Sequence, residues 1–363
     1  MEKLFSPFDI GGLRLKNRIV MAPMSRARIV GSTPDASTAL YYGQRAGAGL
    51  IIAEGANVSP QACGTAGTAG IYLPEHVAGW RLTTQALHAA GGRIFLQLAH
   101  AGRVSHRSLQ PSGVAPVSST HKPALNTTIF GISRTGDTAR LPTSAPQCLA
   151  EPDLAGIRAD FVRAARLAMA AGFDGVEIHA GNGFLFEQFI HGALNDRPDG
   201  YGGAAASNRP RLLLGAVDAG APAVGADRVG GKGTPFSRLG DMAPYAGETD
   251  TWLAFARAPQ LQGLAYVHAA FGAADAAFPA QFRQAFRGTL MLAASPDAAS
   301  ALLDGGLADL VVMGRPFIAN PDLVERLRHG WPLAMAANDT VYGGGAAGYT
   351  DYPSYVRPRE LRA

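Results

Sequence analysis

The segment from Val176 to Phe189 reads VEIHAGNGFLFEQF, and it places two hydrogen-bonding side chains directly after a short apolar run. His179 carries an imidazole and Asn182 a primary amide, three residues further along. A lone histidine at the end of a strand is more often structural than catalytic. Other apolar runs, however, also end in polar or flexible residues, namely Ser25, Glu54, Gly55, Gln97, His100, Gly314 and Arg315. If all these run ends meet on one rim, they predict a binding or catalytic site there.

Short apolar runs must position these residues. Each run is four to eight residues long and is bounded by Gly, Asp or Arg, which is typical of strands buried on both faces in a parallel sheet. A poorer candidate lies in 227–235, where glycines interrupt the pattern. The seven clear runs are RIVMAPM (18–24), LIIAEG (50–55), RIFLQLAH (93–100), DGVEIH (174–179), GLAYVHAA (263–270), GTLMLAA (288–294) and DLVVMGR (309–315).

Helical patterns separate most of these runs. The clearest spans 153–173, with apolar residues at three- and four-residue steps and Gly172 as its C-terminal stop. Another begins at Ser295, with Pro296 in its first turn. Alternation of strand and helix along most of the chain predicts a (β/α)8 TIM barrel in a single domain. An open doubly wound sheet is the alternative, and the lack of G-x-G-x-x-G after the first strand disfavours its dinucleotide-binding version.

Residues 101–150 interrupt the alternation. They are rich in Ser, Thr, Pro and Gly and show no clear period. So long a bare loop is unusual, so we expect an excursion that leaves the third strand and caps one mouth of the barrel. The segment follows the C-terminal end of that strand, and active sites of TIM barrels lie on that face.

Composition excludes several classes of protein. Among 363 residues, 47% are hydrophobic and 17% charged, which is typical of a globular chain with a large core. The net charge of +4 comes without a basic run, so no nucleic-acid partner is expected. The N-terminus does not resemble a signal peptide, and no apolar stretch of about 18 residues predicts a membrane span. Cys63 and Cys148 cannot form a disulfide framework, which favours a cytoplasmic protein.

Six motifs in order along nearly the whole chain resemble the old yellow enzyme family, in particular its bacterial N-ethylmaleimide reductase and pentaerythritol tetranitrate reductase type. The resemblance implies a flavin-bearing (β/α)8 barrel, in agreement with the strand count. The motifs are NRIVMAPMSR (17–26), QLAHAGR (97–103), GFDGVEIHAGNGFL (172–185), DRPDGYGG (196–203), GRPFIANPDL (314–323) and YGGGAAGYTDYP (342–353).

The resemblance also implies a chemistry. Members of the family reduce activated alkenes such as enones, with FMN that is recharged by NAD(P)H. A His/Asn or His/His pair holds the carbonyl oxygen of the substrate, and here His179 and Asn182 resemble that pair and would act as an oxyanion hole. Phe184 stands where the family usually has a proton-donating tyrosine, and a phenyl ring cannot donate a proton.

The flavin-binding residues are carried over by the same resemblance, and some of them depart from the family pattern. Lys232 replaces an arginine at the pyrimidine edge of the flavin, which keeps the charge but loses the planar fork. Ala293 and Ala294 replace glycines of a phosphate-binding loop. The remaining residues expected at FMN are Pro23, Met24, Ser25, Gly55, Gln97, Gly314 and Arg315.

The substrate pocket departs from the family pattern as well. Ala99 stands in place of a tryptophan and Thr65 in place of a tyrosine, while Tyr342 is expected to contact the substrate. Losing two aromatic walls predicts a wider pocket and a bulky, carbonyl-containing small molecule as substrate.

Three hypotheses for the function follow. The first is an FMN-dependent ene-reductase, possibly of a biosynthetic pathway, whose proton source is not tyrosine. The second is a redox-neutral isomerase or cyclase on the same scaffold, with weak or lost flavin chemistry. The third is a catalytically silent binding protein. No metal site is predicted, and the chain is expected to be a monomer or a weak homodimer.

Overall fold

The computed structural model describes residues 2–203 and 205–356. Within them, parallel strands close into a barrel in the order β4-β5-β6-β7-β8-β1-β2-β3. The (β/α)8 prediction is therefore confirmed, and the open doubly wound sheet was wrong. The barrel strands are β1 (Ile19–Met21), β2 (Leu50–Asn57), β3 (Ile94–Ala99), β4 (Gly175–Ala180), β5 (Val229–Gly233), β6 (Tyr266–Ala269), β7 (Leu290–Ala293) and β8 (Leu310–Met313).

Helices surround the barrel and cover the outward-facing side chains of the strands. The long predicted helix runs over Asp153–Ala170, and Gly172 follows it with a φ of 92°, as its stop role requires. Ser295 accepts a hydrogen bond from the Ala298 N–H at the predicted helix start. The helices are α1 (Ala36–Gly43), α2 (Pro74–Ala89), α3 (Asp153–Ala170), α4 (Leu185–Ile190), α5 (Arg211–Val224), α6 (Glu248–Arg257), α7 (Pro259–Gln262), α8 (Phe278–Ala285), α9 (Pro296–Asp304), α10 (Arg315–Ala319) and α11 (Leu323–His329).

Strand β5 forms despite its glycines, and the barrel interior explains one of them. Gly230 lies beside Tyr266 of β6, and a Cβ at this position would approach the tyrosine ring to 2.2 Å. The missing side chain therefore makes room for a large ring from the neighbouring strand. The strand keeps its register with β4 on one side and β6 on the other.

Strand β2 is longer than predicted and irregular. Its pairing with β3 shifts register between Ala53 and Ala56, so two residues bulge out of the ladder. At the bulge Gly55 faces the interior, close to Gln97 and Ala99, whereas Glu54 is buried near Tyr42, whose hydroxyl accepts its backbone N–H. A side chain expected on the rim is thereby turned away from it.

A short antiparallel hairpin closes the floor of the barrel. It pairs Phe8–Ile10 with Leu13–Leu15, and its residues Ile10 and Leu15 are fully buried. They pack into one apolar cluster with side chains from the barrel interior, namely Val20, Leu50, Ile52, Phe95, Tyr266, Met291, Leu310 and Val312. This layer fills the lower part of the barrel, at the end opposite the carboxyl-terminal mouth.

Residues 101–150 contain more regular structure than their composition suggested. Thr128–Ile132 and Thr138–Pro142 form an antiparallel hairpin, and Val117–Ser118 pairs in parallel with Gln147–Cys148. Side chains of the hairpin line the cavity at the carboxyl-terminal mouth of the barrel.

Three further observations concern the described residues only. Cys63 and Cys148 are free thiols. No helix in 2–203 or 205–356 has the length and apolar character that crossing a bilayer requires. The same residues contain no cluster of three or more His, Cys, Asp or Glu side chains suited to a metal ion.

The floor hairpin leads to a stability prediction. Leu15→Ala should lower the free energy of unfolding by about 3 kcal/mol, because it empties space inside a packed layer. Leu13→Ala, at a half-buried position of the same strand, is the matched control and should cost clearly less. Chemical unfolding followed by circular dichroism measures both. Equal losses would show that the hairpin does not plug the barrel.

Candidate active site

One cavity of about 570 Å³ opens at the carboxyl-terminal mouth of the barrel, and most of the predicted site residues line it. Among the residues predicted to contact flavin or substrate, Lys232, Ala293 and Ala294 do not line it. Those that do are Pro23, Met24, Ser25, Gly55, Thr65, Gln97, Ala99, His179, Asn182, Phe184, Gly314, Arg315 and Tyr342.

His179 and Asn182 lie side by side in this cavity. The Gly181 N–H donates to His179 Nδ1 over 3.2 Å, which places the proton of a neutral ring on Nε2. That nitrogen lies 3.5 Å from Asn182 Nδ2. Two donors so placed cannot satisfy each other, so both are available to a single acceptor atom of a ligand.

The turn between β4 and α4 sets this geometry. Asn182 and Gly183 have φ angles of 55° and 77°, a left-handed conformation that asparagine and glycine tolerate better than other residues. Gly181 must be small because a Cβ would lie 2.6 Å from the Thr234 side chain. A Cβ on Gly183 would lie 2.7 Å from Gly240. The sequence His-Ala-Gly-Asn-Gly therefore meets a steric and conformational requirement.

Phe184 follows the turn and faces the same cavity. Its ring centroid lies 4.8 Å from that of His179, with 35° between the ring planes. The phenyl ring thus packs against the imidazole and supplies an apolar wall of the cavity.

A buried network that the sequence did not reveal lies below the pair. Glu177 accepts a hydrogen bond from Gln97 Nε2 over 2.7 Å and lies 3.0 Å from His268 Nδ1. Burial would raise the pKa of Glu177, but His268 and Lys232 outweigh it, so the net pKa is lowered and the group is a carboxylate. The only sequence feature that could have indicated this network is Glu177 itself, a charged residue within the otherwise apolar strand β4.

Lys232 is the cation of this buried region. It stands level with His179 on β4 and His268 on β6, and it is 7% exposed. Its ammonium group donates no hydrogen bond to any residue in the described ranges. Burial lowers its pKa against the attraction of Glu177 and Glu187. The structure therefore places Lys232 inside the barrel, and it is not among the residues that line the cavity.

The ends of β7 and β8 hold the residues predicted for the phosphate. Gly314 and Arg315 line the cavity, and Arg315 begins α10. Ala293 is exposed at the end of β7. The Ala294 N–H donates to the Val312 carbonyl over 3.0 Å, so it is already engaged within the barrel.

The outer part of the cavity is closed by two aromatic side chains: Tyr342, which the sequence analysis predicted, and Phe130, which it missed. Phe130 of the hairpin packs against Tyr342, with ring centroids 5.9 Å apart. The guanidinium of Arg140 lies 4.9 Å from the Phe130 ring centroid. Small side chains, Thr65 and Ala99 among them, form other parts of the wall. The segment lacked a recognisable period, so its aromatic residue could not be assigned to the mouth.

Two polar residues expected on the rim are elsewhere. Glu54 is turned away by the bulge described above. His100 is 1% exposed and does not line the cavity. Its Nδ1 accepts the Gly102 N–H over 3.1 Å, and burial lowers its pKa to about 3, so it is a neutral structural side chain.

The cavity fits FMN on two observations beyond its size, which lies within the range typical of cofactor pockets. Gln97 uses its amide N–H₂ on Glu177, and its Oε1 accepts no hydrogen bond from the described residues, which suits a ring N–H of a flavin. Arg315 has neither a hydrogen-bond nor an ion-pair partner within 2–203 and 205–356. A free guanidinium at this position suits a phosphate group.

Comparison with known proteins agrees with this site. The NADH:flavin oxidoreductase / NADH oxidase family matches residues 3–334. The chain is 39% identical over 367 residues to 12-oxophytodienoate reductase 2 of Arabidopsis thaliana, covering 97% of this chain and 95% of that protein. It is 38% identical over 367 residues to 12-oxophytodienoate reductase 1 of Oryza sativa subsp. japonica, covering 96% and 92%.

A solved structure extends the comparison to three dimensions. Morphinone reductase in complex with tetrahydroNAD is 42% identical in sequence and superposes with a TM-score of 0.94. The match covers 97% of this chain and 98% of that chain. The chain therefore belongs to the NADH:flavin oxidoreductase family, the old yellow enzyme family, and is an FMN-dependent oxidoreductase that uses a nicotinamide nucleotide as reductant.

Proposed function

We propose that the enzyme reduces the carbon–carbon double bond of bulky enones and that His179 and Asn182 hold the carbonyl oxygen of the substrate. The observation that carries this proposal is the 3.5 Å separation of two donors, His179 Nε2 and Asn182 Nδ2, at the cavity surface. As the alkene is reduced, negative charge develops on the carbonyl oxygen. Two fixed donors in a water-poor site stabilise that charge more than they stabilise the neutral ketone.

The charge state of His179 supports this role. Burial lowers the pKa of His179 well below its ordinary value, and Lys232 and His268 lower it further. The ring is therefore neutral and donates through Nε2 without being a proton source at neutral pH. It acts as a hydrogen-bond donor that polarises the carbonyl.

The bound flavin supplies the hydride, which it obtains from the nicotinamide nucleotide. The residues of this chain orient the reactants: Gln97 is fixed by Glu177, and Arg315 anchors the phosphate end. Pro23, Met24 and Ser25 form a further wall of the cavity. Together these residues would hold the flavin, which would supply hydride to the alkene of a substrate whose carbonyl oxygen is bound by His179 and Asn182.

Protonation of the α-carbon must follow a different route from that of the family. Phe184 has no hydroxyl, so we assign the proton to water that enters through the mouth of the cavity. Without a fixed acid the new stereocentre at the α-carbon is under weaker control than the β-carbon, which receives hydride inside the site.

The shape of the mouth favours a large substrate. Ala99 and Thr65 leave space where aromatic side chains would stand, and the rings of Phe130 and Tyr342, tilted by 51° to each other, offer an apolar surface at the opening. The names of the relatives denote reductases of morphinone and 12-oxophytodienoate, and both words describe a ketone. A bulky ketone made in a biosynthetic pathway fits this pocket.

The absence of a fixed acid is also the observation that favours a redox-neutral isomerase or cyclase. Such an enzyme would polarise a carbonyl with the same pair and would need no net hydride transfer. Consumption of NADPH in the presence of an enone separates the two, because only the reductase oxidises the nucleotide in proportion to substrate.

The oxygen-binding assignment is tested by the double variant His179→Ala/Asn182→Ala. Phenolic ligands, which place an oxygen at this position in related enzymes, should lose at least about 1.5–3 kcal/mol of binding free energy, since each donor contributes on that scale in a dry site. Titration of the FMN-loaded protein with phenol measures the loss. Unchanged phenol affinity would reject the assignment.

The neutral state of His179 leads to a prediction on pH. A histidine whose pKa is depressed on folding stays unprotonated as the pH falls, and the protein loses stability once the unfolded chain binds the proton instead. Between about pH 8 and 5, where an ordinary histidine titrates, the ¹⁵N signals of the His179 ring should not move. A titration of these signals within that interval would show that the ring is charged during part of it.

The missing acid is tested by Phe184→Tyr. If α-carbon protonation limits turnover, a positioned hydroxyl should raise the rate by about 10²–10⁴-fold, the usual range for general acid catalysis. Stopped-flow oxidation of the reduced flavin by cyclohexenone follows hydride transfer, and product analysis in D₂O follows the stereochemistry of protonation.

Three outcomes are distinguishable in that experiment. A faster turnover with a single α-carbon configuration supports the water route in the wild type. Equal turnover with improved configuration shows that hydride transfer limits the rate. No saturated product from either protein would reject the reductase and favour the redox-neutral reaction.

A further inference from the structure

A buried carboxyl group outside the cavity lining contacts the oxygen-binding turn. Glu187 lies in the first turn of α4, is 3% exposed, and takes no part in the site as described so far. The Gly183 N–H donates to its Oε2 over 2.5 Å. The hydroxyl of Thr234, at the end of β5, lies 3.3 Å from both oxygens of the same carboxyl group.

Thr234 connects this carboxyl group to the neighbouring residue of the turn. The Asn182 N–H donates to Thr234 Oγ1 over 2.7 Å. The N–H groups of Asn182 and Gly183 therefore both end on one linked polar unit, which we call the Glu187–Thr234 clasp. It joins α4 and the end of β5 to the turn between β4 and α4.

The turn needs such a clasp because of its backbone conformation. Two consecutive residues with positive φ are disfavoured relative to other conformations unless contacts hold them, and Asn182 bears this cost without the freedom of glycine. If the clasp were absent, the buried N–H of Gly183 and the partly buried N–H of Asn182 would lose their acceptors, and the turn would relax to satisfy them. Any such relaxation moves the Asn182 side chain away from His179.

We propose that Glu187, acting with Thr234, is a positioning residue that aims the Asn182 amide at the point served by His179 Nε2. This inference rests on the proposed role of His179 and Asn182 in holding a substrate oxygen. Glu187 itself touches neither substrate nor flavin; it acts through the backbone of the turn.

The charge state of Glu187 identifies the appropriate replacement. Burial raises the pKa of Glu187 to about 8, and the donors Gly183 and Thr234 offset only part of this effect. Of the nearby charged groups, Glu248 raises the pKa as well and Arg238 lowers it. At pH 7 the group is mainly a neutral acid, which glutamine resembles in shape and charge. Glu187→Gln should therefore preserve the clasp, whereas Glu187→Leu removes it.

The experiment compares two pairs of variants in the FMN-loaded protein at pH 7. Glu187→Leu and Thr234→Val delete the clasp while keeping volume, and Glu187→Gln and Thr234→Ser retain its hydrogen-bonding groups. Phenol affinity should fall roughly tenfold in the deleting pair, the effect of one lost buried hydrogen bond, and should stay within about threefold in the retaining pair. FMN affinity, measured separately, should be unchanged in all four.

Two controls separate positioning from general loss of structure. Glu248→Leu removes another buried carboxyl group, one that pairs with Arg238 over 2.9 Å, and it should lower stability without weakening phenol binding. Hydrogen exchange followed by mass spectrometry should show faster exchange confined to 181–184 in the deleting variants. If Glu187→Leu does not fold, Thr234→Val alone carries the comparison with Thr234→Ser.

The outcomes distinguish this inference from the proposed function. If the His179→Ala/Asn182→Ala variant abolishes phenol binding and the deleting variants leave it intact, the clasp does not position the pair and the inference is overturned. A loss in the retaining variants as large as in the deleting ones overturns it too, because a positioning role must be rescued by a conservative replacement. If the double alanine variant still binds phenol normally, the proposed function itself fails.

Discussion

The hydrogen bond from the Gly181 N–H to His179 Nδ1 is the interaction on which the site depends. It fixes the imidazole tautomer, and with it the direction in which the only ring proton points. The bond exists because the chain turns sharply after β4, and the turn exists because Gly181 and Gly183 allow it. If the ring carried its proton on Nδ1 instead, Nε2 would become an acceptor and would repel a substrate oxygen. A short-range backbone feature thus decides the chemistry of the whole cavity.

A second constraint is that charged side chains lie inside the barrel, where the loss of hydration makes a charge unfavourable in free energy. Glu177 and Lys232 are both buried, and the negative charge of Glu177 opposes the lowering of the Lys232 pKa by burial. The carboxylate is also tied to Gln97 and His268, so it serves two purposes at once. It balances the lysine, and it holds the Gln97 amide with the carbonyl oxygen free.

Much of the fold could be predicted from the sequence, because buried parallel strands leave apolar runs and the glycine and proline stops are local. Most of the site residues could be placed too, since strand ends of a barrel meet on one face. What could not be predicted depends on contacts between distant segments. The bulge in β2 turns Glu54 away from the rim, and a side chain from β6 fills the space above Gly230. Phe130 reaches the mouth only through a hairpin without a clear sequence period.

The part of the site that binds the carbonyl oxygen is more rigidly fixed than the part that would supply the proton. On the oxygen-binding side, every N–H from Gly181 to Phe184 has an acceptor within the protein: His179, Thr234, Glu187 and the Gly181 carbonyl. A turn whose N–H groups are all hydrogen-bonded cannot move without losing several of these bonds. The side-chain donors of His179 and Asn182 therefore keep the same orientation for different substrates. On the proton-donating side, the Phe184 ring packs against the His179 imidazole and carries no hydroxyl that could donate a proton. The reaction needs fixed donors only on the oxygen side. The negative charge on the carbonyl oxygen develops in the transition state of hydride transfer and must be stabilised at that moment. The resulting enolate is stable enough to be protonated later by water.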